Sequence, residues 1–195
     1  MAQLLGGLKR GLAFVLSAPA GTGKTTLVRM LLQEFPSVTE SVSFTTRSPR
    51  KGEVPGFDYH FVTPQEFEAR LQDNEFLEHA TVFQHSYGTS RKEVERALAS
   101  GKHVILVIDT QGALQLMGSM EATFIFISPP NLSELKNRLH SRRSETPETI
   151  EQRLSWAEKE ISLSPRYDYH IINEDLQVAY EALRSILIAE EHKTR

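Results

Sequence analysis

The chain has 195 residues, 39% hydrophobic and 24% charged, with 22 basic and 25 acidic side chains, a net charge of -3 and no cysteine. That length suits one α/β domain with small inserted lobes, and the composition excludes disordered and fibrous classes. The near-balanced charge makes no global case for nucleic acid or an anionic membrane, and the lack of thiols removes disulfide frameworks and cysteine-ligated zinc, in keeping with a cytoplasmic protein.

The opening stretch "LKRGLAFVLSAPAG" imitates a secretory leader, with two basic residues, an apolar run and Ala-Pro-Ala. The run is short and the cut would fall inside a glycine-rich motif, so no leader is expected. No segment approaches the ~20 apolar residues of a membrane span. Leu12 to Leu16 reads as a buried strand, followed by a Gly-rich turn and by "TTLVRMLLQEF", whose helical spacing runs until Pro36. Between strand and helix, Ala18, Pro19, Ala20, Gly21, Thr22, Gly23, Lys24 and Thr25 fit G-x-x-x-x-G-K-[ST] at every fixed position but the first. The two glycines let backbone N–H groups line a phosphate, and the helix starting at Lys24 adds the positive end of its dipole. Lys24 is placed to reach the β- and γ-phosphates, Thr25 to ligate Mg²⁺, and Thr26 continues the ATP-binding turn. Alanine at position 18 adds one methyl group, tolerable if φ stays negative and the β-carbon points away from the nucleotide.

From about 43 to 92 the pattern changes to short strands and turns, a small antiparallel insertion with mixed α/β character. "SVSFTTRSPRKGEVPGFDYHFV" (41–62) sets Arg47 and Arg50 around a proline, with Tyr59 beyond. Two guanidinium forks and a phenol suit a terminal phosphate monoester, although the residues alone equally describe a solvated basic loop. Thr63-Pro64-Gln65-Glu66 and Ser90-Arg91-Lys92-Glu93 each read as a capping box opening a helix, and Gly101 ends the second helix. "HVILVID" (103–109), "TFIFIS" (123–128) and "YHIIN" (169–173) are further buried strands, which implies a parallel sheet covered on both faces. Asp109, at a strand end, offers a carboxylate to a Mg²⁺-bound water, or serves as a turn or cap. Residues 131–162 are helical and arginine-rich: Arg138 and Arg142 lie four apart on one face, with Glu134 as an alternative helix partner for Arg138, and Arg153 follows the turn "SETPE".

In their order and spacing, "SAPAGTGKTT", the 41–62 segment, "NEFLEHATVFQHSYGTS" and "RLHSRRSETPETIEQRL" resemble those of the guanylate kinases, ATP:GMP phosphotransferases with a P-loop NTPase fold, over roughly residues 10–190. The resemblance implies Ser43, Arg47, Arg50, Tyr59 and Tyr87 around the GMP phosphate, Glu78 and Thr89 on guanine, Asp109 beside GMP and the metal, and Asn173 on the adenine side. It also implies a lid whose Arg138, Arg142 and Arg153 neutralise the transferred phosphoryl group. The chemistry agrees: a carboxylate accepts from guanine N1–H and N2–H together, a donor pair that adenine lacks, and a threonine hydroxyl donates to O6. An unpaired, desolvated carboxylate discriminates by ~10⁴-fold.

The expected organisation is a P-loop core (1–42, 90–130, 163–195), a GMP-binding region (43–89) and a lid (131–162). The expected reaction is Mg²⁺-dependent transfer of the ATP γ-phosphate to GMP or dGMP, with no general base because the acceptor is already a phosphate anion. Besides Ala18, the chain departs from the family pattern at Ala20, where serine is usual, and at Arg142-Arg143-Ser144, where Arg-Gly-Thr is common. Val107 stands where an aspartate often lies, leaving Asp109 as the sole acidic candidate on that strand. Two alternatives stay open: a kinase for another nucleoside or sugar monophosphate, and a non-catalytic guanylate-kinase-like interaction module, against which the retained Lys24, Thr25, Arg142 and Arg153 speak.

Overall fold

In chain order the elements of the computed structural model are β1 (Ala13–Ser17), α1 (Lys24–Glu34), β2 (Val38–Glu40), β3 (Phe44–Thr45), β4 (His60–Phe61), α2 (Pro64–Gln72), β5 (Phe76–Val82), β6 (His85–Ser90) and α3 (Arg91–Ala99). Then follow β7 (His103–Val107), α4 (Thr110–Leu116), β8 (Thr123–Ser128), α5 (Leu132–Ser141), α6 (Pro147–Ser162), a 3-10 turn (Ser164–Arg166), β9 (Tyr169–Ile172) and α7 (Leu176–Glu191). The structure describes residues 4–82, 84–141 and 147–194; Arg142, Arg143 and Ser144 lie outside them.

A five-stranded parallel sheet runs β2-β7-β1-β8-β9. β1 is its centre, with Val15 opposite Leu106 on one side and Phe124 on the other, and all five of its residues are buried. Its continuous apolar run follows from cover on both faces. Phe14 and Leu16 pack with Leu27 and Leu31 of α1 and Leu183 and Leu187 of α7, while Val15 packs with Leu98 of α3 and Leu116 of α4 on the opposite face. Every strand expected from the sequence forms, but β7 stops at Val107 and β9 at Ile172, so Asp109 and Asn173 stand just beyond strand ends.

The second sheet runs β4-β3-β6-β5. β6 pairs antiparallel with β3 and β5, yet β3 and β4 are parallel, which corrects the antiparallel reading. The 46–59 loop carries the chain back before β4 begins, so the strand direction is regained. β5 contains a bulge: Phe76 pairs with Ser90 and His79 with Gly88, placing one extra β5 residue across Leu77 and Glu78. Thr63 forms the full capping box with Glu66. Ser90 forms only half of one, because the Glu93 carboxylate lies 3.6 Å from His60 Nε2 instead of reaching back.

Helices α5 and α6 pack together through Leu135, Leu139, Ile150 and Ala157. They also lean on the turn after β1, since a β-carbon at Gly21 would lie 3.1 Å from Leu139 and 3.3 Å from Leu135.

Candidate active site

The turn between β1 and α1 is built from backbone that only glycine accommodates easily. Gly23, the N-cap of α1, has φ +94, and a β-carbon there would also lie 2.7 Å from Asn173 Nδ2. That amide donates to the Thr22 carbonyl at 2.6 Å and is buried, tying the end of β9 to the loop. Thr22 Oγ1 donates to the Pro19 carbonyl at 2.8 Å, while Ala20 is exposed at the crest. Ala18 meets the φ condition set by the sequence, and its methyl lies in the core. Among described residues only Asn74 and Gln84 have positive φ outside glycine, and the Ala18 methyl is buried with Leu27 and Ile127.

Lys24 Nζ donates to the Ala18 carbonyl. Desolvation pushes the Lys24 pKa down, opposed by the charges of Glu160 and Asp109. Asp109 caps α4: its Oδ1 accepts from the Gly112 amide at 2.9 Å and its Oδ2 from Gln111 Nε2 at 3.2 Å. Thr25 and Thr26 are exposed on the first turn of α1. Glu160, from α6, is buried, and burial raises its pKa to about 7 despite the pull of Lys24. It was not singled out in the sequence, although it lies seven residues, two helical turns, beyond Arg153 on the same face of α6.

The second cluster sits on the smaller sheet. Glu78 is 4% exposed and Thr89 is fully buried, and Thr89 Oγ1 donates to Glu78 Oε1 at 2.6 Å. Burial raises the Glu78 pKa to about 7, with the Thr89 hydrogen bonds pulling the other way. Arg47 lies 5.3 Å from the Tyr59 ring, and that ring packs edge-on against Tyr87 at 6.0 Å. The Arg47 fork closes on Glu53, at 2.8 and 3.0 Å, a partner the sequence reading did not name. Arg50 is exposed, its backbone N–H donates to the same carboxylate at 2.7 Å, and its charge, with that of Arg47, acts on the Tyr59 phenol; Ser43 lies half-buried just before β3.

Arg138 Nε pairs with Glu134 at 2.9 Å, and its Nη1 donates to the Asn173 carbonyl at 3.0 Å, which joins helix α5 to the loop's clamp. Arg153 is half-buried on α6, and Arg142 lies outside the described residues. Among described residues no helix is long and apolar enough to cross a membrane, and no group of three or more His, Cys, Asp or Glu could hold a metal ion.

The guanylate kinase family model matches residues 10–190, nearly the whole fold just described. The chain belongs to the guanylate kinase family. It is 60% identical over 192 residues to the guanylate kinase of Protochlamydia amoebophila, covering 98% of each chain, and 51% identical over 181 residues to that of Chlamydia pneumoniae, covering 92% of this chain and 88% of the relative. The crystal structure of guanylate kinase from Anaplasma phagocytophilum superposes with a TM-score of 0.80 at 38% identity, covering 98% of this chain and 90% of that one. As in other P-loop folds, the loop, Asp109 and Asn173 of this guanylate kinase family member all lie at the carboxyl ends of parallel strands.

Proposed function

We propose that the chain transfers the γ-phosphoryl group of ATP to GMP, giving ADP and GDP, with dGMP as a second acceptor. The observation that carries this reading is the buried Glu78–Thr89 pair, a carboxylate with no cationic partner among the groups that shift its pKa, in a molecule that also has an intact phosphate loop. An ionised carboxylate beside a hydroxyl matches the N1–H, N2–H and O6 edge of guanine, and adenine leaves it unpaired.

In this reading residues 1–42, 90–130 and 163–195 hold ATP, 43–89 hold GMP and 131–162 form the lid. Ala18 to Thr26 cradle the ATP phosphates, and Lys24 follows the β- and γ-oxygens. Arg47, Arg50, Tyr59, Tyr87 and Ser43 hold the GMP phosphate, which competes with Glu53 for the Arg47 fork. Arg138, Arg142 and Arg153 stabilise charge on the group in flight, where positioning and electrostatics account for nearly all of the catalysis. Asn173 supports the loop from the adenine side.

The oxygen donors present suit Mg²⁺. The Thr25 hydroxyl is exposed at the helix start, and each Asp109 carboxylate oxygen accepts one hydrogen bond and keeps a free lone pair, enough for a cation held mostly by phosphates and water. When bound there, Mg²⁺ neutralises charge on the β- and γ-phosphates. The chain acts as a cytoplasmic enzyme on small molecules, without nucleic acid or membrane partners. An ADP-release assay with Mg²⁺-ATP and GMP, dGMP, AMP, CMP, UMP or dTMP tests the reading. Turnover with GMP and dGMP supports it; turnover with GMP alone overturns the dGMP part, and comparable turnover of AMP or CMP, or none with any acceptor, overturns the whole.

A further inference from the structure

We propose that Gly112 and Gln115, on the short helix α4 of the core, position Glu78 and thereby set the guanine specificity of the site. The inference rests on the reading of Glu78 as the group that contacts the base.

Glu78 lies on β5, the edge strand of the smaller sheet, at a bulge that interrupts the β5–β6 register. An edge strand at a bulge has lost part of its pairing and is a poor platform for a group that must be held to a fraction of an ångström. The missing support comes from α4. Gln115 Nε2 donates to the His79 carbonyl at 2.6 Å, and the His79 amide donates to Gln115 Oε1 at 3.2 Å. One side-chain amide therefore mimics a neighbouring strand at the residue next to Glu78, across 36 positions of sequence.

Gly112 acts on the carboxylate itself. A β-carbon at Gly112 would lie 2.2 Å from Glu78 Oε2 and 2.9 Å from its Cδ, inside the closest approach real side chains make. Gly112 has no left-handed backbone angle, so its lack of a side chain answers to space and not to conformation. With Thr89 on Oε1 and the bare Gly112 backbone against Oε2, the carboxylate is held from two sides. The same Gly112 amide donates to Asp109, so the helix that aligns the base reader is capped by the carboxylate facing Lys24.

A methyl group at position 112 forces the carboxylate aside, and losing the Gln115 amide frees β5 at the bulge. Either change spoils the paired acceptance from N1–H and N2–H, which depends on distance and angle. Inosine monophosphate keeps the phosphate, ribose, N1–H and O6 of GMP and lacks only the 2-amino group, so the GMP:IMP ratio of kcat/KM isolates the contact at stake.

Steady-state kinetics on wild type, Gly112→Ala and Gln115→Ala with GMP and with IMP test the proposal. Gly112→Ala is expected to raise KM for GMP and to lower the GMP:IMP ratio roughly 10- to 100-fold, the weight of one charge-assisted hydrogen bond. Gln115→Ala lowers the ratio less, and KM for ATP is unchanged in both. Gln115 is exposed, so its variant decides the matter alone if Gly112→Ala does not fold. An unchanged GMP:IMP ratio in the folded variants, or an equal fall in kcat for both acceptors, overturns the positioning role. A wild type that does not favour GMP over IMP overturns instead the assignment of Glu78 on which the proposal rests.

Discussion

Thr89, fully buried, donates its hydroxyl proton at 2.6 Å to Glu78, which is 4% exposed. A threonine hydroxyl has one proton, so while it serves Glu78 it does not serve guanine O6. In the proposed reading, base binding exchanges this internal bond for three to guanine, two accepted by Glu78 and one donated by Thr89, and in the free protein the bond keeps the pair in register.

Glu78 must be ionised to accept from both guanine donors, and burial raises its pKa to about 7. The kcat/KM for GMP is expected to fall about tenfold per pH unit below that value. The GMP phosphate also titrates near pH 6, so the wild-type rate is divided by that of Glu78→Gln, in which the phosphate contribution cancels. The ratio should climb from pH 5.5 to 7.5 and level off above; a flat ratio contradicts the assignment.

The same shift predicts stability. A carboxyl whose folded pKa is raised favours the folded state fully below its unfolded pKa and loses that contribution as pH rises through the folded value. For Glu78 the loss falls between about pH 4.5 and 7. Urea melts of Glu78→Gln should match wild type near pH 4 and exceed it by on the order of 2 kcal/mol at pH 8. Glu160→Gln should gain less at pH 8, because the Lys24 ammonium loses its counter-charge.

The loop clamp predicts a different pattern. Asn173→Ala removes the bond to the Thr22 carbonyl and leaves that acceptor without its donor, while Gly23→Ala introduces both a strained φ and a clash with Asn173. Asn173→Ala is expected to weaken ATP roughly tenfold with KM for GMP unchanged. Gly23→Ala should abolish measurable ATP binding in calorimetry while the protein still melts cooperatively. Equal loss of both substrates in Asn173→Ala would show that the clamp serves the fold as a whole.

The chain ends are joined by Glu191, which accepts from the Gly6 amide at 2.7 Å, the Gly7 amide at 2.8 Å and His103 Nε2 at 2.5 Å. Burial alone would raise its pKa, but the two amides and the His103 imidazole outweigh it and hold the carboxyl below the ordinary range. A lowered carboxyl contributes stability above its unfolded pKa, and that contribution disappears as pH falls through the folded value. Glu191→Gln should lower the melting temperature by several degrees at pH 7, with the gap closing below about pH 4. A gap that persists at pH 3 would assign the loss to packing and not to charge.

The loop, the strands and both capped helices were legible because each is written in local spacing: apolar runs, glycines at fixed offsets, Thr63 or Ser90 three residues before a glutamate. β2 was not, since three residues with one buried carry no period. The direction of β4 depended on the path of a loop and not on the composition of the strand. Arg47 and Tyr59 could be named because their types suit phosphate, and Glu78 and Thr89 because the resemblance to the guanylate kinases implies them. Glu53, Gly112, Gln115 and Glu160 could not, because their meaning comes from neighbours that only folding supplies. Gly112 reads as a helix glycine until the Glu78 carboxylate is seen against it, and Gln115 as a solvated side chain until it is found on the His79 backbone.

The most direct test of the account is the ratio of kcat/KM for GMP over AMP, measured at pH 8 in wild type and in Glu78→Gln. The wild-type ratio is expected on the order of 10⁴ and should collapse by at least 100-fold in the variant, with KM for ATP unchanged. A wild-type ratio near one, or a variant that keeps the full preference for GMP, would contradict it.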